Sequence, residues 1–490
     1  MIYLFWVCLL VATSSSAKSS ELWQSVLKQD LDAAYAYIKA GHPGYIDEQN
    51  PQFPDLLAHQ YSRAGMLIPQ VVDYDTYLGV MRYFLNGFRD AHLNISDDIR
   101  RIGNNIVTAG FSLGYDQGKL MVTSHMPGWN GLLPGLGDEL LACDGVGAQD
   151  ILLNYLVPYQ NFTANPGRAL GAAVKGFSLR TSPEMNFENC TFGSESGASN
   201  TVAFQQRSVS SNDFFDWYVS TLPQSNRASS GYELKDGVLW IGLPSFTLEG
   251  AKLARFNAMI EELVELEGFQ SVVFDVRGNK GGSSLFGEAI FTAVTGGIEM
   301  TEAQRSQLPM AYAQWRISDY SLDRINDMLS RLSEDPGREG LQADYFSKLK
   351  TAMLEAKQAG RTWLVYNSNA RWNLQDFERM NIAPRNFKGA LVLLTDGACV
   401  SACLDFADMI RATPGSLHVG ETTAADSLYM SAPTVVLPSG NRLQMPLKVW
   451  RNRLRGNNEP LVPDIYLDLS GLDSGSVRRK VFAVINRKAD

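Results

Sequence analysis

A multidomain α/β protein, built on a mixed or parallel sheet flanked by helices, is the fold class this sequence predicts. Three observations predict it. The chain has 490 residues, more than one ordinary hydrophobic core organises. Its periodicity changes character twice: helical between residues 20 and 98, alternating between 101 and 160, then strand–helix–strand beyond 231. Two buried-strand patterns, QSVVFDVRG and GALVLLTDG, each run into a small-residue turn and a helix. Apolar content of 45% and charged content of 19% belong to a folded globular chain rather than a disordered one. A net charge of −9, with no basic stripe interleaved with aromatics, argues against a nucleic-acid partner.

The elements follow in order. MIYLFWVCLLVATSSSAKSS carries an apolar run from Ile2 to Ala12, and Ser15-Ser16-Ala17 then fits a cleavage site before Lys18. Residues 1–17 therefore read as a signal peptide, although no Lys or Arg precedes the run. The expected location is exported, periplasmic or secreted. Residues 18–100 form a helical domain: WQSVLKQDLDAAYAYIKAGHPG and TYLGVMRYFLNGFRDAHLNI both have helical spacing. From 101 to 206 short alternating strands with glycine turns define a second domain, closed by TVAFQQ. Residues 207–230, ending in PQSNRASSG, read as a linker. The α/β core spans 231–490, with a polar, helix-rich insertion at about 300–385.

Ser401 sits in TDGACVSACLDFAD, between a buried strand and an amphipathic helix. Such a turn presents a hydroxyl at the carboxyl edge of the sheet, where open α/β sheets place ligands, and beside the unpaired N–H groups of a helix start. On that stretch alone a helix cap is the simpler explanation of the serine. DVRGNKGGSS (275–284) is a second such turn, and Gly278, Gly281 and Gly282 let its backbone approach a ligand closely. It is not a nucleotide loop, because G-x-x-x-x-G-K-[ST] is absent. The five histidines are scattered and no zinc-type spacing occurs, so neither a metal nor a cofactor is expected.

Together these residues resemble peptidase family S41, the tail-specific (C-terminal processing) and tricorn-like serine proteases. DVRGNKGG matches a D-x-R-x-N-x-G-G turn, LVLLTDGACVSACLDFAD the nucleophile segment, and NNEPLVPDIYLDL (457–469) a C-terminal signature. The region 101–206 resembles the family's PDZ-like domain, with PGLGDELLACDG as its most specific piece and AGFSL near its peptide-binding loop. The resemblance implies Ser401 as nucleophile and an oxyanion hole from Ala402 with the Gly281–Gly282 turn. It also implies peptide contacts at Gly110 and Phe111, and a polypeptide substrate held by strand addition, through its C-terminus where that is free. The tail-specific lysine is absent: in GETTAADSLYM, Asp426 stands in its place. The tricorn-like branch uses a histidine instead, and FRDAHLNI supplies His92. Glu459 resembles that branch's orienting glutamate, but Ala91 stands where a serine would relay to it, so water, another side chain, Asp426 or Asp90 would have to fill the gap.

Once the leader is removed, four cysteines remain. Cys399 and Cys403 either pair across the nucleophile turn or pack as small buried hydrophobes, and Cys143 with Cys190 would be the second pair. The competing function is a catalytically silent peptide- or lipid-binding protein on the same scaffold.

Overall fold

The computed structural model describes residues 2–96, 105–164, 166–221, 227–296, 311–334, 341–366 and 390–489. The chain divides into two compact units, Met1–Pro223 with Ser431–Pro446, and Gln224–Met430 with Leu447–Asp490. Among the described residues no helix is long and apolar enough to cross a membrane.

The first unit begins with three helices, Ile2–Gly41, Phe53–Leu67 and Tyr74–Asn86. Leu27, Leu31, Ala34 and Ile38 repeat at helical spacing and are fully buried. The third helix opens on a capping box in which Asp73 accepts from the Thr76 N–H. The hairpin Thr434–Val436 and Arg442–Gln444, far along the chain, completes this region: Asn94 and Ile95 pair antiparallel with Gln444 and Leu443. Its anchor is Asp30, fully buried, which accepts from the Tyr77 hydroxyl and from the Ser439 N–H at 2.9 Å. Burial and this carboxylate push the Tyr77 phenol far above its ordinary pKa.

The same unit holds an antiparallel sheet in the order Phe111–Asp116, Lys119–His125, Glu139–Cys143, Asn189–Gly193, Ser199–Ala203. Cys143 and Cys190 are register partners on adjacent strands and form a disulfide. The helix Pro166–Lys175, which no motif had marked, buries Ala173 and Val174 in the core of this sheet. Part of the expected linker is regular structure. Arg207–Ser210 pairs with Asn105–Thr108, and the helix Ser211–Ser220 follows, capped by the Ser210 hydroxyl. Phe214 and Trp217, at i and i+3, are buried and account for that helix. Residues 222–226 of the linker, and the expected boundary at 100–101, lie outside the described residues.

The second unit is organised by a six-stranded sheet in the order Gly231–Lys235, Val238–Gly242, Ser271–Asp275, Leu391–Thr395, Leu417–Gly420, Ile465–Tyr466. The first pair is antiparallel and the rest parallel, so the sheet is mixed. Side chains alternate between its faces. Leu239, Ile241, Val272, Phe274, Leu391 and Leu393 pack with helices Gly250–Glu265, Ser284–Thr295 and Ala402–Arg411. Val238, Trp240, Val273, Val392, Leu394 and Val419 pack with the C-terminal helix Ser474–Ala489. Both faces are covered, which is why the central strands read as continuous apolar runs.

The described part of the expected insertion is less helical than its sequence reads. Helices Asp319–Ser333 and Leu341–Gln358 are present, but so are strands Tyr312–Arg316 and Trp363–Val365. These join Lys448–Arg451 and Tyr429–Met430 in a four-stranded antiparallel sheet around Trp315, Ile325, Leu349 and Met353. Residues 297–310, 335–340 and 367–389 lie outside the described residues.

Phe274 is fully buried, with its ring centroid 5.2 Å from that of Phe406 beneath the 402–411 helix. F274A should destabilise the second unit by about 3–5 kcal/mol, seen as a lower midpoint in urea denaturation followed by near-UV circular dichroism.

Candidate active site

Two turns at the carboxyl ends of neighbouring parallel strands form the candidate site in the second unit. Strand Leu391–Thr395 is wholly buried and leads through Asp396 to Ser401. Ser401 immediately precedes the helix Ala402–Arg411, as a cap would, but its backbone is at φ 59°, ψ −126° and its hydroxyl makes no capping bond. A capping serine keeps an ordinary extended backbone. A non-glycine residue held at positive φ outside the helical wells costs about 1–3 kcal/mol, and such strain concentrates at reactive sites. The geometry is that of a nucleophile elbow, a sharp strand-to-helix turn that presents one hydroxyl.

Covalent and hydrogen-bonded restraints surround the elbow. Cys399 and Cys403 form a disulfide that brackets Ser401, and both are fully buried. The Leu404 and Asp405 N–H groups both donate to the Ser401 carbonyl, at 2.8 and 3.1 Å.

The second turn, after strand Ser271–Asp275, explains its motif residue by residue. Asp275 receives Arg277 in a bidentate pair, Nε to Oδ1 at 2.9 Å and Nη2 to Oδ2 at 2.7 Å, with both side chains buried. Asn279, fully buried, donates to the Leu243 carbonyl at 2.8 Å and accepts from the Gly281 N–H at 2.8 Å. Gly281, at φ 88°, lies against the elbow: a Cβ there would meet the Val400 carbonyl oxygen at 2.7 Å, Ser401 Cβ at 2.8 Å and the Ala402 nitrogen at 3.1 Å. A Cβ on Gly282 would strike the Phe246 carbonyl at 2.0 Å. Asp396 joins the two turns, its Oδ2 accepting from the Gly278 N–H and its Oδ1 from the Ala398 N–H, each at 2.9 Å. Among the described residues the N–H groups of Gly282 and Ala402 have no acceptor, whereas that of Gly281 is taken by Asn279. Of the three expected oxyanion donors, two are therefore available and Gly281 contributes closeness instead.

The other predicted residues fall as follows. His92 belongs to the first unit. It lies in the turn between the helix ending at Asn86 and the strand Asn94–Ile95, a turn set by Arg89 at φ 52°. Asp90 Oδ1 accepts the His92 backbone N–H at 2.8 Å and is 3.8 Å from the ring Nδ1. Glu459 is exposed, and its carboxylate accepts the Gly456 N–H at 2.6 Å in a local turn. Gly110, at φ 76°, lies under the Trp129 ring, which a Cβ would meet at 2.2 Å. Phe111 is buried against Phe177, Phe192 and Phe204, so only its backbone is offered at the terminal strand of its sheet.

Asp426 is fully buried and committed to arginines: Arg453 Nη1 is 2.9 Å and Arg455 Nη1 2.7 Å from its Oδ1. Arg455 also reaches Asp408 at 2.9 Å, and Asp405 accepts the Ser284 hydroxyl at 2.7 Å. Burial alone would lower the Arg455 pKa, but Asp426, Asp408 and Asp405 outweigh it and hold it above the ordinary arginine value. Asp426 thus neutralises arginines where the tail-specific branch has its lysine. The sequence marked neither Asp396, whose role depends on a contact across the sheet, nor Asn279 beyond its place in the motif.

Comparison with known proteins agrees with this architecture. Residues 237–467 match the family model for Peptidase family S41. These residues form a peptidase family S41 domain, that of a serine-type hydrolase. The S41 segment contains both turns described above, from Asp275 to Ser401. Its fold is similar to the crystal structure of mature CPAF, at 13% identity and a TM-score of 0.54 over 94% of this chain and 95% of that one. It is likewise similar to mature CPAF complexed with lactacystin, at 14% identity and a TM-score of 0.54 over 96% and 98%. No curated protein matches the chain in sequence.

Two expectations follow from the S41 site. G281A adds a Cβ against the elbow at a backbone angle alanine resists, so hydrolysis of an S41 peptide substrate should fall by about two to three powers of ten, with the fold retained by circular dichroism.

The second concerns acid. His418 accepts from Arg411 at its Nδ1 (2.8 Å) and faces the Thr395 hydroxyl with Nε2 (2.7 Å), and that hydroxyl itself donates to the Glu421 carbonyl. Burial first, and Arg411 second, lower the His418 pKa from 6.5 to about 4. The unfolded chain therefore binds a proton that the folded chain refuses between those values. Stability contributed by the neutral ring is present above pH 6.5 and is lost, by about 3 kcal/mol, as pH falls toward 4. H418Q should flatten the fall of the thermal midpoint across this window.

Proposed function

We propose that this chain is an exported serine endopeptidase in which Ser401 is the nucleophile and His92 the general base. The observation that carries the reading is the Ser401 backbone at φ 59°, with the Gly281 backbone lying against it. A helix cap has no use for that strain, whereas an acyl-transfer site requires a projecting hydroxyl beside free N–H groups. His92 Nε2 takes the proton from Ser401 as the hydroxyl oxygen attacks the peptide carbonyl. The Ala402 and Gly282 N–H groups receive the oxyanion. The imidazolium then protonates the leaving amine, and water hydrolyses the acyl-enzyme by the reverse route.

Asp90 takes the orienting role in this reading, since it lies 3.8 Å from His92 Nδ1 while Glu459 is occupied at its own turn. The substrate is an extended polypeptide. The 101–206 region, read as PDZ-like, takes it along the terminal strand Phe111–Asp116, with the C-terminus as the preferred handle. Two disulfides suit the oxidising compartment that the 1–17 leader implies.

A fluorophosphonate probe should label the native chain at Ser401, and the label should vanish in S401A and after heat denaturation. H92Q should lower kcat for an unfolded protein substrate by about two to four powers of ten. Peptide capture without labelling or turnover would replace this reading with the silent binding scaffold.

A further inference from the structure

We propose that His42 is a positioning residue that holds the Asp90 carboxylate, and through it the ring of His92; the inference rests on His92 being the base. His42 follows the first helix and is fully buried. Its Nδ1 accepts the Gly44 N–H at 3.0 Å. A neutral imidazole that accepts at Nδ1 carries its proton on Nε2. That nitrogen lies 3.5 Å from Asp90 Oδ2. The ring itself is fixed, stacked on Phe53 at 4.6 Å between centroids and 12° between planes.

Asp90 therefore lies between two histidines, and its oxygens are divided. Oδ2 faces His42, while Oδ1 takes the His92 backbone N–H at 2.8 Å and faces the His92 ring at 3.8 Å. The carboxylate is buried, so its orientation is set by protein groups, these neighbours among them, rather than by water. A carboxylate aimed at Nδ1 favours the tautomer with the proton on Nδ1 and leaves Nε2 free to accept one. Without His42 the carboxylate loses a group that faces its far oxygen, and His92 is less often in the accepting tautomer and orientation. The three residues come from a helix end and a turn some fifty positions later, a juxtaposition that neither segment announces.

The experiment uses the full chain and five variants: H42N, H42Q, D90N, the H42N/D90N double variant and H92Q. H42N keeps an acceptor for the Gly44 N–H but removes the donor toward Asp90, and H42Q restores a donor at that reach. H42N should lower kcat about tenfold to a hundredfold with KM unchanged, and H42Q should recover most of it. Adding H42N to D90N should change little, because His42 acts through Asp90. Multiplicative losses in the double variant, or wild-type kcat in H42N while H92Q is inactive, would overturn the proposal and leave the base assignment standing. Wild-type turnover in H92Q would instead remove the base assignment. Nitrogen-15 NMR of histidine-labelled wild-type protein tests the arrangement even where a variant fails to fold. A proton on His42 Nε2 is expected, and a proton on Nδ1 would refute it.

Discussion

The Asp396 carboxylate is the constraint on which the site in the second unit depends. It accepts one N–H from each of two turns, Gly278 and Ala398, and so fixes the spacing between the glycine turn and the elbow. The strands that feed these turns are register neighbours in a sheet buried on both faces, with Asp275 beside Leu394. The sheet thus supplies a rigid base, and the carboxylate supplies the last few ångströms of alignment. Only with that alignment does the absence of a side chain at Gly281 become useful, because only then does its backbone reach Ser401 and Ala402.

Charge in this unit is used mostly for architecture. Five ionisable side chains, Asp405, Asp408, Asp426, Arg453 and Arg455, are buried together. Burying so many charges is costly, and removing one partner would leave another uncompensated. The cluster ties the 402–411 helix to the segment 453–455, and through the Ser284 hydroxyl on Asp405 to the helix that follows the glycine turn. A base at position 426 is incompatible with this arrangement. Asp426 is held by two guanidinium groups, beside which a lysine would add a third cation.

Much of this was legible in the sequence, for physical reasons that differ by residue. The strands 271–275 and 391–395 read clearly because burial on both faces makes them apolar without interruption. The glycine turn read clearly because positive φ at Gly278, Gly281 and Gly282 leaves few other residues for those positions. Ser401 was ambiguous, since a cap and an elbow share one local pattern and differ in the sign of one backbone angle. The helix at 211–220 was hidden among turn-formers, its only signal being Phe214 and Trp217 one turn apart. Least visible was the membership of residues 431–446, because a two-stranded hairpin carries no sign of which distant strand it will join.

That hairpin bears on the order in which the molecule is made. Synthesis runs from the N-terminus, and domains generally fold as they emerge. The first unit cannot. When Pro223 leaves the ribosome, Asp30 still lacks the Ser439 N–H, and Asn94–Ile95, two residues past His92, still lacks its partner strand. Both arrive only after Ser401 and most of the second unit have been translated. The surroundings of the proposed base are thus completed only after the nucleophile has been made, and a chain truncated before residue 431 carries Ser401 without a finished base.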